Sequence, residues 1–303
     1  MPTFATLQAD ADERGLVRKI QKAIAFIAPM SVALPTAITG SDSLPIDLKA
    51  LGFLPIGLVT PDGYTFSREI ESEDIDALGY ASAIRSDTTR VPRTVSFTAL
   101  EKGRKHMLEL TKGTSLAGVT QAASGEIVID EPDLPLDSEW RLLIVGSDGP
   151  AAKNWILGKG YGSVKLSATG EETWGREGAV TEQLTFNVFT DDTVGVPVRE
   201  YYAGTGAKAS ATILGFTQAP PALPTITSVL PSGATTGQQV TIKGTGFTGA
   251  TAVAFGAVNA PVFTVVDSTT IVVTVPSSGA GTVLVTVTNA TGASAGFSYT
   301  RGA

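Results

Sequence analysis

Pro224-Thr225-Ile226-Thr227-Ser228-Val229-Leu230-Pro231-Ser232-Gly233, then Gly237-Gln238-Gln239-Val240-Thr241-Ile242-Lys243-Gly244-Thr245-Gly246-Phe247, and finally Asn289-Ala290-Thr291-Gly292 before Phe297-Ser298-Tyr299, decide the fold of the last quarter of the chain. Val240 and Ile242 alternate with Thr241 and Lys243. Ile271, Val273 and Val275 point one way while Val272 and Thr274 point the other, and a further strand-forming run spans Val283 to Thr288. This period of two belongs to half-buried strands. Gly, Pro, Asn and Ser break the runs at short spacing, which predicts an all-β sandwich of short strands. Gly244 and Gly246 mark a sharp turn before Phe247 enters the core, since glycine reaches positive φ without steric cost. Phe255, Phe263, Phe297 and Tyr299 complete the expected core.

These residues resemble the IPT/TIG family of immunoglobulin-like domains over about residues 224–300. The resemblance implies an Ig-like β-sandwich with a contact or display role and no chemistry of its own. Function is therefore sought in the larger region that precedes it.

Composition limits that search. The chain has 303 residues, 43% of them hydrophobic and 17% charged, which is folded, core-forming protein of about two domains. It has no cysteine, which removes disulfides, thiolate metal sites and thiol nucleophiles together. Its first 219 residues hold twenty basic against twenty-eight acidic residues. That acidic surplus disfavours tight binding to nucleic-acid phosphates, which rests on Lys and Arg releasing counterions.

Near the amino terminus, Arg14, Arg18, Lys19 and Lys22 precede the apolar run Ala23-Ile24-Ala25-Phe26-Ile27-Ala28, an arrangement shared with secretory signals. Pro29 interrupts the run, and Asp10, Asp12 and Glu13 make its front acidic. The reading preferred over a signal is an amphipathic helix capped near Asp10 or Asp12, with Leu16, Ile20, Ile24 and Ile27 on one face as a docking arm. No stretch reaches the ~20 apolar residues of a membrane span.

The organisation expected is an arm over residues 1–52, with residues 31–52 as an extended loop; a β domain over 53–217; a proline-rich linker over 218–224; and the Ig-like domain over 225–303. In the β domain, Leu54–Thr60, the turn Pro61-Asp62-Gly63 and Tyr64–Ile70 predict a hairpin. Val95, Phe97 and Ala99 alternate with Ser96 and Thr98, and Leu100–Lys112 reads as a helix closed by Gly113. Further strands are expected at 126–130, 140–145, 163–168 and 184–189. The β domain is thus mainly β with one central helix, and an immunoglobulin-like β-sandwich follows it.

Candidates for chemistry each have a plainer reading. His106 is the only histidine, so no histidine pair or multi-histidine metal site forms within one chain, and it reads as an ordinary helix residue. Gly158-Lys159-Gly160-Tyr161-Gly162-Ser163 suggests a phosphate loop, but a strand rather than a helix follows, so it reads as a glycine-rich turn. Glu171-Glu172 with Trp174, and Asp191-Asp192, offer the two carboxylates of glycoside hydrolysis. Adjacent acids in a strand point to opposite faces, and solvated loop carboxylates are the simpler account. The run Glu69–Asp76 lacks the spacing and glycine of an EF-hand loop. Asn289-Ala290-Thr291 is a formal glycosylation sequon whose simpler account is a turn. No catalytic, cofactor-binding or metal-binding residues are assigned, and no cofactor is expected.

A second resemblance covers residues 40–215. A strand ending in Gly57-Leu58-Val59-Thr60-Pro61-Asp62-Gly63, a strand running into Glu69–Asp76, the Ile84-Arg85-Ser86 segment and Thr94-Val95-Ser96-Phe97-Thr98-Ala99-Leu100-Glu101 resemble the major tail proteins of long-tailed bacteriophages of actinobacteria. Leu78 departs from the pattern, standing where a tryptophan is expected. The resemblance implies a tail-tube-type β-sandwich that closes into hexameric rings stacked around a DNA path, in the virion after assembly in the host cytoplasm. Its implied partners are itself, the tape measure protein and the tail terminator, with DNA passing without specific binding and the Ig-like domain as an outward decoration in weak contact with the host surface. Asp62–Arg93 would then border a loop contacting an adjacent ring through Arg68, Glu69, Glu71, Glu73, Asp74, Asp76, Arg85 and Arg90, the competing account being a solvated hairpin extension. The alternative functions are a secreted bacterial surface protein with an Ig-like spacer, and a carbohydrate-active enzyme.

Overall fold

The computed structural model describes residues 3–40, 42–176, 178–216 and 222–303. Most of the expected linker, 218–221, lies outside them. The chain divides into two compact units, Met1–Ser210 and Ala211–Ala303. It is a mainly β protein with several sheets.

The first unit is built from ten strands: β1 Lys22–Pro29, β2 Leu54–Pro55, β3 Val59–Arg68, β4 Glu71–Ile75, β5 Arg85–Arg90, β6 Arg93–Ala99, β7 Trp140–Asp148, β8 Trp155–Thr169, β9 Glu182–Phe189 and β10 Val198–Ala203. Eight of them form one antiparallel sheet in the order β2-β1-β7-β8-β9-β6-β3, with β10 also on β8. The long β8 carries both branches on one edge. Its residues Ile156–Tyr161 pair with β10, and Ser163–Thr169 pair with β9. The sheet therefore folds over itself, and a core forms between the halves: Ala25, Ile27, Leu142 and Ile144 from one, and Val95, Phe97, Ala99, Leu184 and Phe186 from the other. Phe97 stacks on Phe186 with centroids 5.8 Å apart and meets the edge of Tyr64 at 5.2 Å. Burial pushes the Tyr64 phenol up to about 12, as expected when the charged form loses water.

The opposite face of β1, β7, β8 and β10 is covered by the loop between β1 and β2. Leu34, Ile38, Leu48 and Phe53 pack there on Phe26, Ala28, Leu143, Ile156 and Tyr201. Contact is close enough that a Cβ on Gly158 would come within 2.9 Å of Ile38 and Tyr201, and one on Gly160 within 3.0 Å of Leu34. Gly158–Ser163 is thus the interior of β8, with two glycines admitting the covering loop, and not a glycine-rich turn.

Several expectations are corrected. Leu16, Ile20, Ile24 and Ile27 do not share a helix face. Helix α1 is Phe4–Ala11, Leu16 ends a single 3-10 turn, and Ile24 and Ile27 lie in β1, one half exposed and the other fully buried. Because Ala25–Ala28 of β1 are buried on both faces, the apolar run there is continuous, and a continuous run carries no period that separates strand from helix. The arm is therefore partly an interior strand, paired along its whole length with β7. Pro61-Asp62-Gly63 is not a hairpin turn. Val59 and Tyr64 pair with Ala99 and Phe97 of the same strand, so Thr60–Gly63 bulge out opposite Thr98.

Helix α2 is Lys105–Lys112, shorter than expected at its start. Gly103 has φ +92°, a conformation that ends any helix extended back through it, and Gly113 in the left-handed region closes the other end. Residues 126–130 form no strand, and their Ile127 and Val128 are exposed. The expected strands at 140–145, 163–168 and 184–189 fall within β7, β8 and β9.

The second unit contains helix residues Ala211–Leu214 and strands β11 Thr225–Leu230, β12 Gln239–Thr245, β13 Ala252–Phe255, β14 Val258–Asn259, β15 Phe263–Asp267, β16 Thr270–Thr274, β17 Gly281–Asn289, β18 Gly292–Ala293 and β19 Phe297–Arg301. One sheet has the order β11-β12-β16-β15, and the other β14-β13-β17-β18 with β19 on β17. Val240, Ile242, Ile271 and Val273 from the first face Val253, Phe255, Val285 and Val287 from the second, with Phe247 fully buried between them. Gly246 turns the chain at φ +73°, and a Cβ on Gly244 would fall 1.9 Å from the Thr225 carbonyl oxygen. Tyr299 Oη donates to the Pro231 carbonyl at 2.8 Å and accepts from the Ala234 N–H at 3.1 Å. Tyr299→Phe removes both bonds, leaves the buried Ala234 N–H without its partner, and is expected to cost about 1–2 kcal/mol. A urea titration of the second unit's transition checks this, and an unmoved midpoint would refute it.

Candidate assembly surfaces

Among the described residues strands β4 and β5 pair only with each other, forming a separate two-stranded hairpin that continues from β3 and returns into β6. The continuity is set at its base, where the Glu69 N–H donates to the Pro92 carbonyl at 3.1 Å and Arg68 pairs with Arg93. Every residue of both strands is exposed. A lone hairpin is marginally stable in water, because two strands bury too little to offset their ordering. This one carries further burdens. Glu73 stands directly opposite Asp87, a like-charge pair. Ile70, Ile75, Leu78, Tyr80 and Ile84 are large apolar side chains left in solvent, with Leu78 fully exposed.

The structure brings together the sequence-predicted contact residues. Glu71, Glu73 and Asp74 lie on β4, Arg85 and Arg90 on β5, Asp76 in the tip, and Arg68 and Glu69 at the base. Arg90 approaches Glu71 at 3.8 Å, and Arg85 pairs with Asp87 at 2.7 Å. Both pairs are exposed, so they contribute little to holding the hairpin.

A second feature was not foreseen from sequence. A mostly apolar cleft of about 900 Å³ opens between the start of β1 and β3, and continues onto β7, β8 and β10. Ile20, Ile24, Leu58 and Phe66 line it and are each substantially exposed. Of the predicted docking residues, Ile20 and Ile24 are thus in the cleft, while Ile27 is in the core and Leu16 is in neither. Ile20 lies over Gly146, where a Cβ would come within 3.0 Å of it. The same segment carries the exposed Arg14, Lys19 and Lys22, and Lys22 is part of the cleft lining. Arg18 is already engaged, stacking over the Trp155 ring at 3.9 Å and pairing with Asp148.

The residues considered for chemistry hold structural positions. His106 donates Nε2–H to the Pro55 carbonyl at 2.9 Å, and burial lowers its pKa. Glu172 is held below the usual carboxylate range by Lys102 at 2.7 Å and by Trp174 Nε1–H at 2.6 Å. Asp191 is not a solvated loop acid. It is buried, and its Oδ2 accepts from Arg141 Nη1 at 2.6 Å while Oδ1 accepts from the Thr193 N–H at 2.8 Å. Asn289 is buried too, with Nδ2 donating to the Ala222 and Gly246 carbonyls, which closes the sequon to modification in the folded unit. Among the described residues no group of three His, Cys, Asp or Glu side chains converges as a metal site, and no helix is long and apolar enough to cross a membrane.

Comparison with known proteins bears on the second unit. The family model described as IPT/TIG domain matches residues 224–301, so an Ig-like IPT/TIG domain forms the carboxy-terminal region. No curated protein matches the chain significantly. Among solved structures, similarity is found to a gamma-CGTase from an alkalophilic Bacillus clarkii, with 17% identity, TM-score 0.25, and coverage of 57% of this chain and 25% of that one. SGBP-B from a xyloglucan utilization locus of Bacteroides uniformis gives 17% identity, TM-score 0.24, and coverage of 53% and 44%. SGBP-B of the Bacteroides ovatus mixed-linkage glucan utilization locus, solved with a heptasaccharide, gives 15%, 0.23, and coverage of 58% and 58%. The chain thus spans between a quarter and under two thirds of those proteins, and superpositions this poor carry no argument about function.

Proposed function

We propose that this protein is a structural, non-catalytic subunit that assembles with copies of itself into stacked rings, forming the tail tube of a long-tailed bacteriophage, with the IPT/TIG unit as a decoration. The observation that carries the reading is the β4–β5 hairpin, exposed at every residue, with apolar side chains and opposed carboxylates that have no stabilising role in an isolated subunit. A segment of this kind is explained by a partner that covers it.

The rest of the first unit supports the same reading. Among the described residues β3 and β10 each have a single strand neighbour, and unpaired edges are templates for joining chains. A closed ring of identical subunits satisfies such edges by symmetry and leaves none open. The acidic surplus of residues 1–219 suits a wall that DNA passes without sticking. Hexameric closure, the tape measure and terminator partners, and residence in the virion rest on the resemblance of residues 40–215 to major tail proteins.

Negative-stain electron microscopy of the intact chain across a concentration series tests this. Hollow rings or short tubes are expected. Monomeric particles at every concentration would overturn the reading, and would favour a surface protein in which the Ig-like unit is a spacer.

A further inference from the structure

We propose that the hairpins of neighbouring copies pair edge to edge, the outer edge of β4 in one copy against the outer edge of β5 in the next, so that a ring of copies carries a ring of hairpins. This deepens the assembly reading above and rests on it.

Among the described residues β4 and β5 have no strand neighbour but each other, so the hairpin has two open edges. Neither strand holds a proline or a glycine, and each edge therefore presents its amides and carbonyls without a gap. Open edges of this kind are templates for a further strand. Two strands are marginal alone, and three or more with a covered face are not, so hairpins joined side by side gain the stability that each lacks.

Charge selects which edges meet. β4 carries Glu71, Glu73 and Asp74 and no base, a net charge of −3. β5 carries Arg85 and Arg90 against Asp87, a net charge of +1. Paired with its own kind, β4 sets three carboxylates against three. β5 on β5 opposes two net positive strands, with Arg85 beside Arg90 when they overlap fully. Only β4 on β5 brings opposite signs together, and like charges directly across a sheet are unfavourable.

The same two strands already match, since they pair antiparallel within each hairpin. The next copy offers to the outer edge of β4 the strand that covers its inner edge, and that identifies the occupant as a second copy. Such pairing is heterologous: each copy uses both edges, and the row of hairpins ends only when a ring closes. It also brings the tips side by side, where Leu78 and Tyr80 of adjacent copies cover apolar surface that a single copy leaves in solvent.

The chain has no cysteine, so single cysteines report position cleanly. Ser72→Cys on β4 and Thr88→Cys on β5 leave every charge in place. The two full-length variants, one carrying an affinity tag, are mixed in equal amounts and treated with a bismaleimide whose reach covers a register slip of two residues, about 7 Å. The mixed dimer should exceed either like dimer roughly tenfold, because edge pairing holds the two thiols at high effective concentration. Ser298→Cys, exposed on β19, replaces either partner as the control. Neutralising β4 with Glu73→Gln and Asp74→Asn should lower the mixed dimer roughly threefold. That variant keeps the hairpin paired, since Glu73→Gln removes its like-charge opposition to Asp87. An excess of either like dimer, or a mixed dimer that neutralisation leaves unchanged, would overturn the inference. Rings or tubes of the unsubstituted chain with cross-linking no better than the control would overturn it too and leave the assembly reading standing. Monomers throughout with no cross-linking would overturn both. An excess of mixed dimer from a chain that never forms rings would uphold the pairing of edges and overturn the ring.

Discussion

Asp191→Ala is expected to destabilise the first unit by about 3–5 kcal/mol, the range for removing one partner of a buried ion pair. Arg141 is 3% exposed, its Nη1 lies 2.6 Å from Asp191, and its Nη2 reaches the Met30 carbonyl at 3.4 Å. Without the carboxylate, a guanidinium remains in the interior with one backbone carbonyl for company, and its desolvation has no compensation. In calorimetry the loss should lower the first unit's transition by roughly 10 °C, given ~2–4 °C per kcal/mol for a unit of this size. Replacing both partners, as in Arg141→Met with Asp191→Leu, should recover much of the loss, since apolar replacement of a buried pair is often neutral. A single-variant shift under about 2 °C would show the pair to be hydrated and unimportant.

The same pair fixes a pH dependence. Burial alone would raise the Asp191 carboxyl, but the Thr193 N–H and Arg141 outweigh it, so the folded pKa lies below the ordinary carboxylate value. A depressed folded pKa means stability that is present above the unfolded pKa and lost as pH falls through the folded one. The first unit should therefore hold its stability across neutral pH and lose this contribution only in acid, below the usual carboxylate range. Asp191→Ala should flatten that acid limb.

The second unit was almost wholly legible in the sequence, because its strands are buried on one face and the period of two survives. Val240, Ile242, Ile271 and Val273 are all inward, as their alternation predicts. The first unit was legible only where the same condition holds. In β6, Val95, Phe97 and Ala99 are buried and their neighbours are not, but in β1 the consecutive Ala25–Ala28 are all buried and the alternation vanishes. Asp191 was misread because its partner Arg141 is fifty positions away, and no local pattern reports a long-range ion pair. The clue available was Gly162, whose missing side chain leaves room for the Asp191 Cβ that a Cβ of its own would approach within 2.6 Å. The acidic run of the hairpin was visible as charge, whereas the cleft was invisible, since β1, β3, β7, β8 and β10 meet there only through the folded sheet.

Excising the hairpin should abolish self-assembly while leaving the subunit folded. Replacing residues 70–91 with Asn-Gly would join Glu69 to Pro92, which already bond across the base, through a two-residue turn that suits antiparallel strands. The deletion removes no residue of the core between the folded halves of the sheet, so the first unit's transition should stay within a few degrees of the parent chain. The removed segment contributes exposed apolar surface and a like-charge opposition, so its loss is expected to improve the solubility of the isolated subunit. Light scattering across a concentration series, beside electron microscopy, gives the comparison: assemblies from the parent chain and monomers from the excised one. If the excised chain still forms rings and those rings still stack, the hairpin is a solvated extension, and the contacts must be sought at the open edges of β3 and β10. If rings form but remain single, the hairpin acts between rings and the strand edges act within them. A collapse of thermal stability on excision would instead place the hairpin's role inside its own subunit, against the complete exposure of both its strands.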